Sequence, residues 1–504
     1  MMTRNLLEIV AMCGGVLHAA QGTADSVRAT TVTGVFTDSR KVAPGGLFVA
    51  IAGEHDDGHQ FVPAAARAGA VAILVHDLDG VRSALADAGL APGSLNLITV
   101  SDTVEALGRL ARAHLADLRE RAAEQGRALT VVAMTGSVGK TTTKDLTRQI
   151  LAAQAPTIAP AASFNNEIGL PLTVLRADET TRFLILEMGA SAPGHIAYLT
   201  SIAPPDAAAV LVVGHAHMDG FGSLDGVARA KAEIIEGLLP TGTAVVNLDD
   251  ERAAAMGELA PGPVLTFSAA GDARADLRAD LVELDDGAHP VIDLHLPGLS
   301  APARVRLGLP GVHNVTNALG AAGLALAAGV RPEAVAAALG RAVSESPHRM
   351  DVRELELAGL NGHSLGILLI DDSYNANIDS MTAALDALPA LAGERRRVVI
   401  VSEMLELGES SAADHTRTGE LAVQAGAALL LTIGRGAAPA AQAARAAGIK
   451  TLQVADADAA LDLLGSEHSP LRDGDAVLVK GSHDSGAWRL ADFLVERSEE
   501  GAQR

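Results

Sequence analysis

The stretch VVAMTGSVGKTTTKDLTRQIL, residues 131–151, constrains the fold more than any other segment. It begins as a buried strand and ends as a helix, joined by a glycine-punctuated turn closing on Gly139-Lys140-Thr141. Further apolar strands follow in RFLILEMG, AAAVLVVG and GTAVVNLDD, separated by helical patterns. Short apolar strands alternating with helices imply an α/β fold, a parallel sheet covered on both faces. At 504 residues the chain exceeds one hydrophobic core, and with 2% aromatics its cores are aliphatic.

Three blocks emerge. Residues 1–100 carry short strands in GVFTDSR, GLFVAIAG, AVAILVH and NLITVS, with an Ala-rich helix near 62–69. Residues 101–344 open with a helix near 102–124 and contain the glycine turn. Within them, 276–309 alternate differently and read as an antiparallel appendage. Residues 345–504 repeat the strand-helix pattern through LGILLIDD, RRVVIVSE, ALLLTIG and DAVLVKGS. The run AAPAAQAARAAG is low in complexity, but its composition suits a surface helix.

The formal charge of −22 argues against nucleic acid or an anionic membrane as the main partner. The single cysteine, Cys13, rules out an internal disulfide and a cysteine-based zinc site. The chain shows no basic-then-apolar leader and no apolar run of about 18 residues, so a soluble, cytoplasmic protein is expected, without membrane insertion.

The turn offers chemistry. Gly136, Ser137, Val138 and Gly139 can aim backbone N–H groups inward, and the helix start adds its positive end, an anion cradle. Lys140 would reach terminal phosphates and the Thr141 hydroxyl would bind Mg²⁺, with Thr142 next in the loop. Met134 stands where the G-x-x-x-x-G-K-[ST] pattern begins with glycine, which shortens the cradle but keeps lysine and hydroxyl. A ligand-free glycine turn is the bland alternative. Glu187 ends the strand FLILE, where a carboxylate faces the ligand crevice and can hold Mg²⁺ opposite Thr141. A simply solvated acid is the other reading.

In LDGVARAKAEIIEGL, Lys231 lies in the apolar stripe of Val227, Ile234, Ile235 and Leu238. Burial there disfavours the ammonium, and a neutral amine can take up CO₂ to give an anionic, metal-binding carbamate. A lysine that snorkels or pairs with a carboxylate is the alternative. His217 follows another buried strand and suits either a structural or a metal-site role, with His215 a near competitor.

Taken together, TGSVGKTTTK, FNNEIGLPLTVL, LEMG, HMDGFGS with AKAEI, GVHNVTNAL, DDSYNAN and KGS, preceded by TDSRKVAPGGLFVAIAGEHDDGHQF, resemble the muramyl ligase family along nearly the whole chain. The resemblance implies three domains, with a central phosphate-loop sheet between a small α/β domain and a Rossmann-like one. It implies an ATP-dependent amide ligase of peptidoglycan precursor synthesis. DDSYNAN and NNEIGLPLT are similar to the member whose substrates are UDP-N-acetylmuramoyl-tripeptide and D-alanyl-D-alanine. The implied roles put Ser39 and Arg40 near the UDP end and Asn165 and Asn166 along the muramyl-peptide path. Asn314 and Asn317 would contact adenine. Arg349, Asp372, Tyr374 and Asn375 would reach the nucleotide from the third domain, and Lys480, Gly481 and Ser482 would line the dipeptide site. Lys231 becomes the carbamylated lysine and His217 a metal-site residue, both joining Lys140 and Glu187 as catalytic groups, in a monomer. Four positions depart from the family pattern: His348 and Ser402 replace Gly, Ile378 replaces Pro, and His483 replaces Arg. Competing expectations are a tripeptide-forming muramyl ligase, a folylpolyglutamate synthase, and a regulatory nucleotide-binding protein without ligase activity.

Overall fold

The phosphate-loop strand Thr130–Thr135 lies inside a nine-stranded sheet, parallel to Phe183–Glu187 on one side and Ala207–Val210 on the other. The computed structural model describes residues 3–21, 24–53, 56–91, 93–161, 163–215, 218–357 and 364–502. Thr157–Ile158 closes one edge, while Thr243–Asn247 and Val264–Ser268 continue the parallel run outward. Alternation along the central strand sorts the two faces. Val131 and Ala133 pack under the helices Thr103–Glu124, His195–Ile202 and Leu224–Glu236. Val132 and Met134 pack under Lys140–Ala152 and His313–Ala327. Both cores are almost wholly aliphatic, as the composition requires.

The antiparallel segment is not a separate appendage. Its strands Leu277–Leu284, Pro290–His295 and Ala303–Arg306 are antiparallel to one another, yet Phe267 pairs in parallel with Leu277. Both residues are fully buried, and that shared burial carries the central sheet on into the hairpin. The hairpin tip crosses to the third block. Ala288, at φ +57°, is 1% exposed within the core built by Met350, Leu368 and Ile370.

The first block forms a five-stranded sheet in the order Val16–His18, Asn96–Thr99, Ala72–Val75, Gly46–Val49, Gly34–Phe36. The strand expected over GVFTDSR stops at Phe36, because the Asp38 carboxylate accepts the Arg40 N–H at 3.0 Å and starts the 3₁₀ turn Ser39–Lys41. The Leu6–Cys13 helix packs on Thr103–Glu124, so one core runs unbroken past residue 100.

The third block is a six-stranded sheet in the order Asp351–Leu357, Leu365–Asp372, Asp475–Lys480, Arg396–Ser402, Leu429–Ile433, Lys450–Val454. Only the first strand is antiparallel. The alanine-rich run forms the helix Ala438–Ala446, whose Ala440, Ala441 and Ala444 are buried. It lies so close to Ser411–Gln424 that a Cβ on Gly419 would stand 2.3 Å from the Ala440 carbonyl oxygen. Among the described residues no helix is long and apolar enough to cross a membrane.

Candidate active site

A cavity of about 1170 Å³ opens at the carboxyl ends of Thr130–Thr135 and Phe183–Glu187, where ligands bind in open α/β sheets. The second block supplies Gly136 to Thr142, Asn165, Asn166, Lys231, Asn314 and Asn317. The third block supplies Arg349, Asp372, Tyr374, Asn375 and Lys480.

The loop owes its shape to Gly139, the N-cap of Lys140–Ala152 at φ +85°. A Cβ there would stand 2.3 Å from Asn317 Oδ1, so glycine is demanded by backbone and by space together. Ser137 Oγ donates to the Gly214 carbonyl at 2.9 Å and accepts the Gly214 N–H at 2.8 Å, which pins the turn to the neighbouring strand end. Lys140 Nζ donates to the Gly136 carbonyl at 2.7 Å, inside its own loop. Burial lowers its affinity for the proton, against the pull of Glu187.

Thr141 is the meeting point. Its Oγ1 donates to Glu187 Oε2 at 3.4 Å, lies 3.1 Å from Ser163 Oγ, and accepts from Arg349 Nη2 at 3.1 Å. Arg349 is 208 positions away in sequence and stacks 4.0 Å over the Tyr374 ring. Glu187 is fully buried, and its Oε1 has no hydrogen-bond partner. Burial raises its carboxyl above the usual range, opposed first by Lys144, then by Lys140 and Arg349. A buried, orphaned carboxylate oxygen beside a hydroxyl is an oxygen donor set that fits a hard cation. Among the described residues no three His, Cys, Asp or Glu side chains cluster as a metal site, so phosphate and water oxygens would complete the shell.

Lys231 sits where the apolar stripe put it, 5% exposed on Leu224–Glu236 and facing the cavity. Among the described residues it makes no hydrogen bond or ion pair. Burial, reinforced by the charge of Lys140, drives its pKa well below the ordinary lysine value. These features fit a lysine that carries a carbamate. His217 lies outside the described residues. His215 is exposed, and its N–H donates to Asp379 Oδ2 across the block boundary at 2.7 Å.

Asn314 and Asn317 are buried and bonded to each other: Asn317 Nδ2 donates to Asn314 Oδ1 at 2.8 Å, and Asn314 Nδ2 to the Pro310 carbonyl at 2.7 Å. They brace the phosphate loop from behind. Asn166 uses its side-chain oxygen on the Gly169 N–H at 2.9 Å, and the Asn165 carbonyl accepts the Gly189 N–H at 2.9 Å. Lys480 is paired with Asp372 at 2.5 Å and also donates to the Asn375 carbonyl at 3.1 Å. Gly481 and Ser482 are not in the cavity wall. Gly481 is packed against Ser402, and Ser482 Oγ accepts the Leu405 N–H at 3.0 Å. Ser39 and Arg40 lie apart in the first block, with Arg40 paired to Asp38 at 2.9 Å.

The four family departures are accommodated. His348 adopts φ +59°, a left-handed turn suited to glycine, and is held there by a 2.7 Å bond from Nδ1 to Asp371, which also raises its pKa. Ile378 takes the first helical position of Ile378–Ala392, and the turn is closed instead by Asn377 and Ser380 as a capping box. Ser402 hydrogen-bonds to Ser485, and His483 stacks on Trp488. The sequence did not single out Ser163, Ser380 or Asp379. Ser163, two residues before the quoted Asn165, was the one within reach of motif reading.

Family models match in three places: the Mur ligase family catalytic domain over 31–115, the Mur ligase middle domain over 134–325, and the Mur ligase glutamate ligase domain over 348–483. The chain belongs to the Mur ligase family. This Mur ligase is 40% identical to UDP-N-acetylmuramoyl-tripeptide–D-alanyl-D-alanine ligase of Mycobacterium tuberculosis, with 98% of each chain covered. It is 35% identical to the Escherichia coli enzyme of that name, covering 86% of this chain and 87% of the other. Among solved structures it resembles MurF from Acinetobacter baumannii at TM-score 0.80 and 29% identity, covering 98% and 99% of the two chains. MurF from Thermotoga maritima, solved in complex with ADP, matches at TM-score 0.71 and 26% identity over 93% and 98%.

Proposed function

We propose that this Mur ligase joins D-alanyl-D-alanine to UDP-N-acetylmuramoyl-tripeptide with consumption of ATP, as its curated relatives are named to do. The observation that carries this reading is the bond from Arg349 to Thr141, which closes the third block onto the phosphate loop. We assign residues 1–100 to the UDP-muramyl end, 101–344 to ATP and 345–504 to the dipeptide. We take the enzyme to act as a monomer, and ATP and a UDP-linked precursor both point to the cytoplasm.

The chemical problem is the repulsion between the tripeptide carboxylate and the γ-phosphate of ATP. The loop N–H groups, Lys140 and Arg349 gather positive charge at the triphosphate end. Mg²⁺, held by Thr141 and Glu187 and at a second position by His217 and carbamylated Lys231, would supply further charge neutralisation. The carboxylate attacks the γ-phosphorus in line, giving an acyl phosphate and ADP. The dipeptide amine then attacks the activated carbonyl, and phosphate leaves. The acyl phosphate is sensitive to water, and third-block contacts at the loop end of the cavity, Arg349 on Thr141 and Asp379 on the His215 N–H, would shield it.

Incubation with ATP, Mg²⁺, the tripeptide nucleotide and D-alanyl-D-alanine should yield ADP, phosphate and pentapeptide nucleotide in equal amounts. Tripeptides ending in diaminopimelate and in lysine should both be supplied. ADP release that ignores the dipeptide, amide formation with a single amino acid in its place, or amide formation with a folate in place of the tripeptide nucleotide would refute the reading.

A further inference from the structure

Arg349 reaches the phosphate loop with few anchors of its own. Nη2 donates to Thr141 Oγ1 at 3.1 Å, the guanidinium lies 4.0 Å over the Tyr374 ring, and buried Nε has no hydrogen-bond partner. Its place is therefore set by the backbone on either side. The His348 carbonyl accepts the Tyr374 N–H at 3.1 Å, and the Met350 N–H donates to Asp372 Oδ1 at 3.2 Å.

The His348 side chain adds a further tie. Its Nδ1 donates to Asp371 Oδ2 at 2.7 Å. Asp371 is 6% exposed, and it also accepts from the Ser373 N–H at 3.1 Å and the Ser373 hydroxyl at 2.5 Å. A carboxylate taken out of water calls for an opposite charge beside it. The neighbouring Asp372 has one in Lys480. Among the described residues His348 is the one basic side chain that hydrogen-bonds to Asp371. Protonated, it forms a second ion pair next to the first, with a bond stronger than a neutral imidazole can make.

The rest of the imidazole's surroundings favour that charge. Nε2 stands 3.8 Å from Asp492 Oδ1, and the ring 6.1 Å from that of Trp488, both on the helix Trp488–Ala502. Asp351, on the strand Asp351–Leu357, adds a third carboxylate. The basic groups on this side are Arg349, the next residue, and His483, stacked 5.9 Å from Trp488. The bond to Asp371 and the nearby carboxylates raise the His348 pKa above 6.5, against the effect of burial. His348 and His483, two of the four departures from the family pattern, thus meet on the chain's single tryptophan. From His483 the ring contacts return to Arg349 through Tyr374, 5.7 Å away.

We propose that His348 is a positioning residue for Arg349: its ion pair with Asp371 fixes the peptide from which the arginine reaches the phosphate loop. This rests on the nucleotide-binding reading given above. The folded pKa lies above the ordinary 6.5, so the pair is complete below pH 6.5 and is lost as pH rises through the higher value. Nucleotide affinity falls with it.

Isothermal titration of ADP against the full-length protein tests it. His348→Gly suits the backbone and removes the pair, while His348→Asn keeps a neutral donor there. Near pH 6, His348→Gly should bind ADP about tenfold more weakly than the parent, the lower end of what a charged hydrogen bond is worth, with His348→Asn in between. At about pH 9 the imidazole is neutral, and the parent should coincide with His348→Asn. Adding Asp371→Asn to His348→Gly should weaken binding no further, since both remove one interaction. Trp488 gives a readout that needs no nucleotide. In a His483→Gln background, its fluorescence should titrate with a midpoint above 6.5, and His348→Gly should abolish that titration. Melting curves report folding, and His348→Asn and Asp371→Asn carry the comparison if His348→Gly fails to fold. Parent-like ADP affinity in folded variants near pH 6, or a loss equal at both pH values, would overturn the assignment. So would a Trp488 midpoint at or below 6.5. Absence of ADP binding by the unmodified protein would instead sink the nucleotide reading, and this assignment with it.

Discussion

Replacing Gly139 by alanine tests how the phosphate loop is braced. The new Cβ would stand 2.3 Å from Asn317 Oδ1, inside any real contact distance. Asn317 cannot simply retreat, because its amide donates to Asn314 at 2.8 Å, and Asn314 in turn is tied to the Pro310 carbonyl at 2.7 Å. Holding alanine at φ +85° costs about 1–2 kcal/mol. Pushing Asn317 aside forfeits a buried hydrogen bond, about 1 kcal/mol. The free loop escapes both by relaxing, so the loss falls on phosphate binding. The sum is about 2–3 kcal/mol, or about 30- to 150-fold weaker ADP and ATP binding. Isothermal titration of both nucleotides measures it. Adding Asn317→Ala removes the clash but not the backbone strain, and should recover about fivefold. If Gly139→Ala binds ADP like the parent, the bracing argument is wrong. The same follows if the second substitution deepens the loss.

Lys231→Ala should abolish ligation, with bicarbonate giving no recovery and a short-chain carboxylic acid restoring part of it in the product assay. Arg349→Ala removes the charged bond to Thr141 and should raise the KM for ATP about 10- to 150-fold, since such bonds contribute about 1.5–3 kcal/mol. His114 supplies a pH prediction: buried between Arg4 and the Ala177 carbonyl, it is lowered from 6.5 to about 4, chiefly by burial. Its folded pKa lies below its unfolded one, so its full contribution holds above pH 6.5 and is lost as pH falls towards 4, by about 3 kcal/mol in all. Urea unfolding at pH 7 and pH 4 should show a smaller acid loss in His114→Gln than in the parent, and equal losses would contradict the assignment.

The phosphate loop was legible because glycine spacing and a strand-to-helix change of period are local signals. Lys231 was legible for the same reason: one charge interrupts an otherwise apolar stripe. The edge strands were not. Asp351–Leu357 reads DVRELEL, alternating charge with aliphatic residues, and its pairing with Leu365–Asp372 decides it. Val16–His18 pairs with Asn96–Thr99, some eighty positions away, and its three residues carry no period. The seam residues were hidden for a different reason. Asp379 looks like an ordinary first-turn acid until His215 is brought to it, and nothing near Met350 announces a left-handed backbone. Cross-block contacts arise from the placement of whole sheets, which periodicity does not encode.

The hairpin tip at Ala288 makes the third block an incomplete body by itself. A methyl group from another part of the chain plugs its interior, so a fragment beginning near residue 345 would be born with a hole. Shortening the hairpin would unseat the plug, and lengthening it would leave slack. The two halves of the enzyme are therefore matched in dimension at a point remote from the chemistry. Swapping C-terminal blocks between relatives should succeed only when the hairpin travels with its socket.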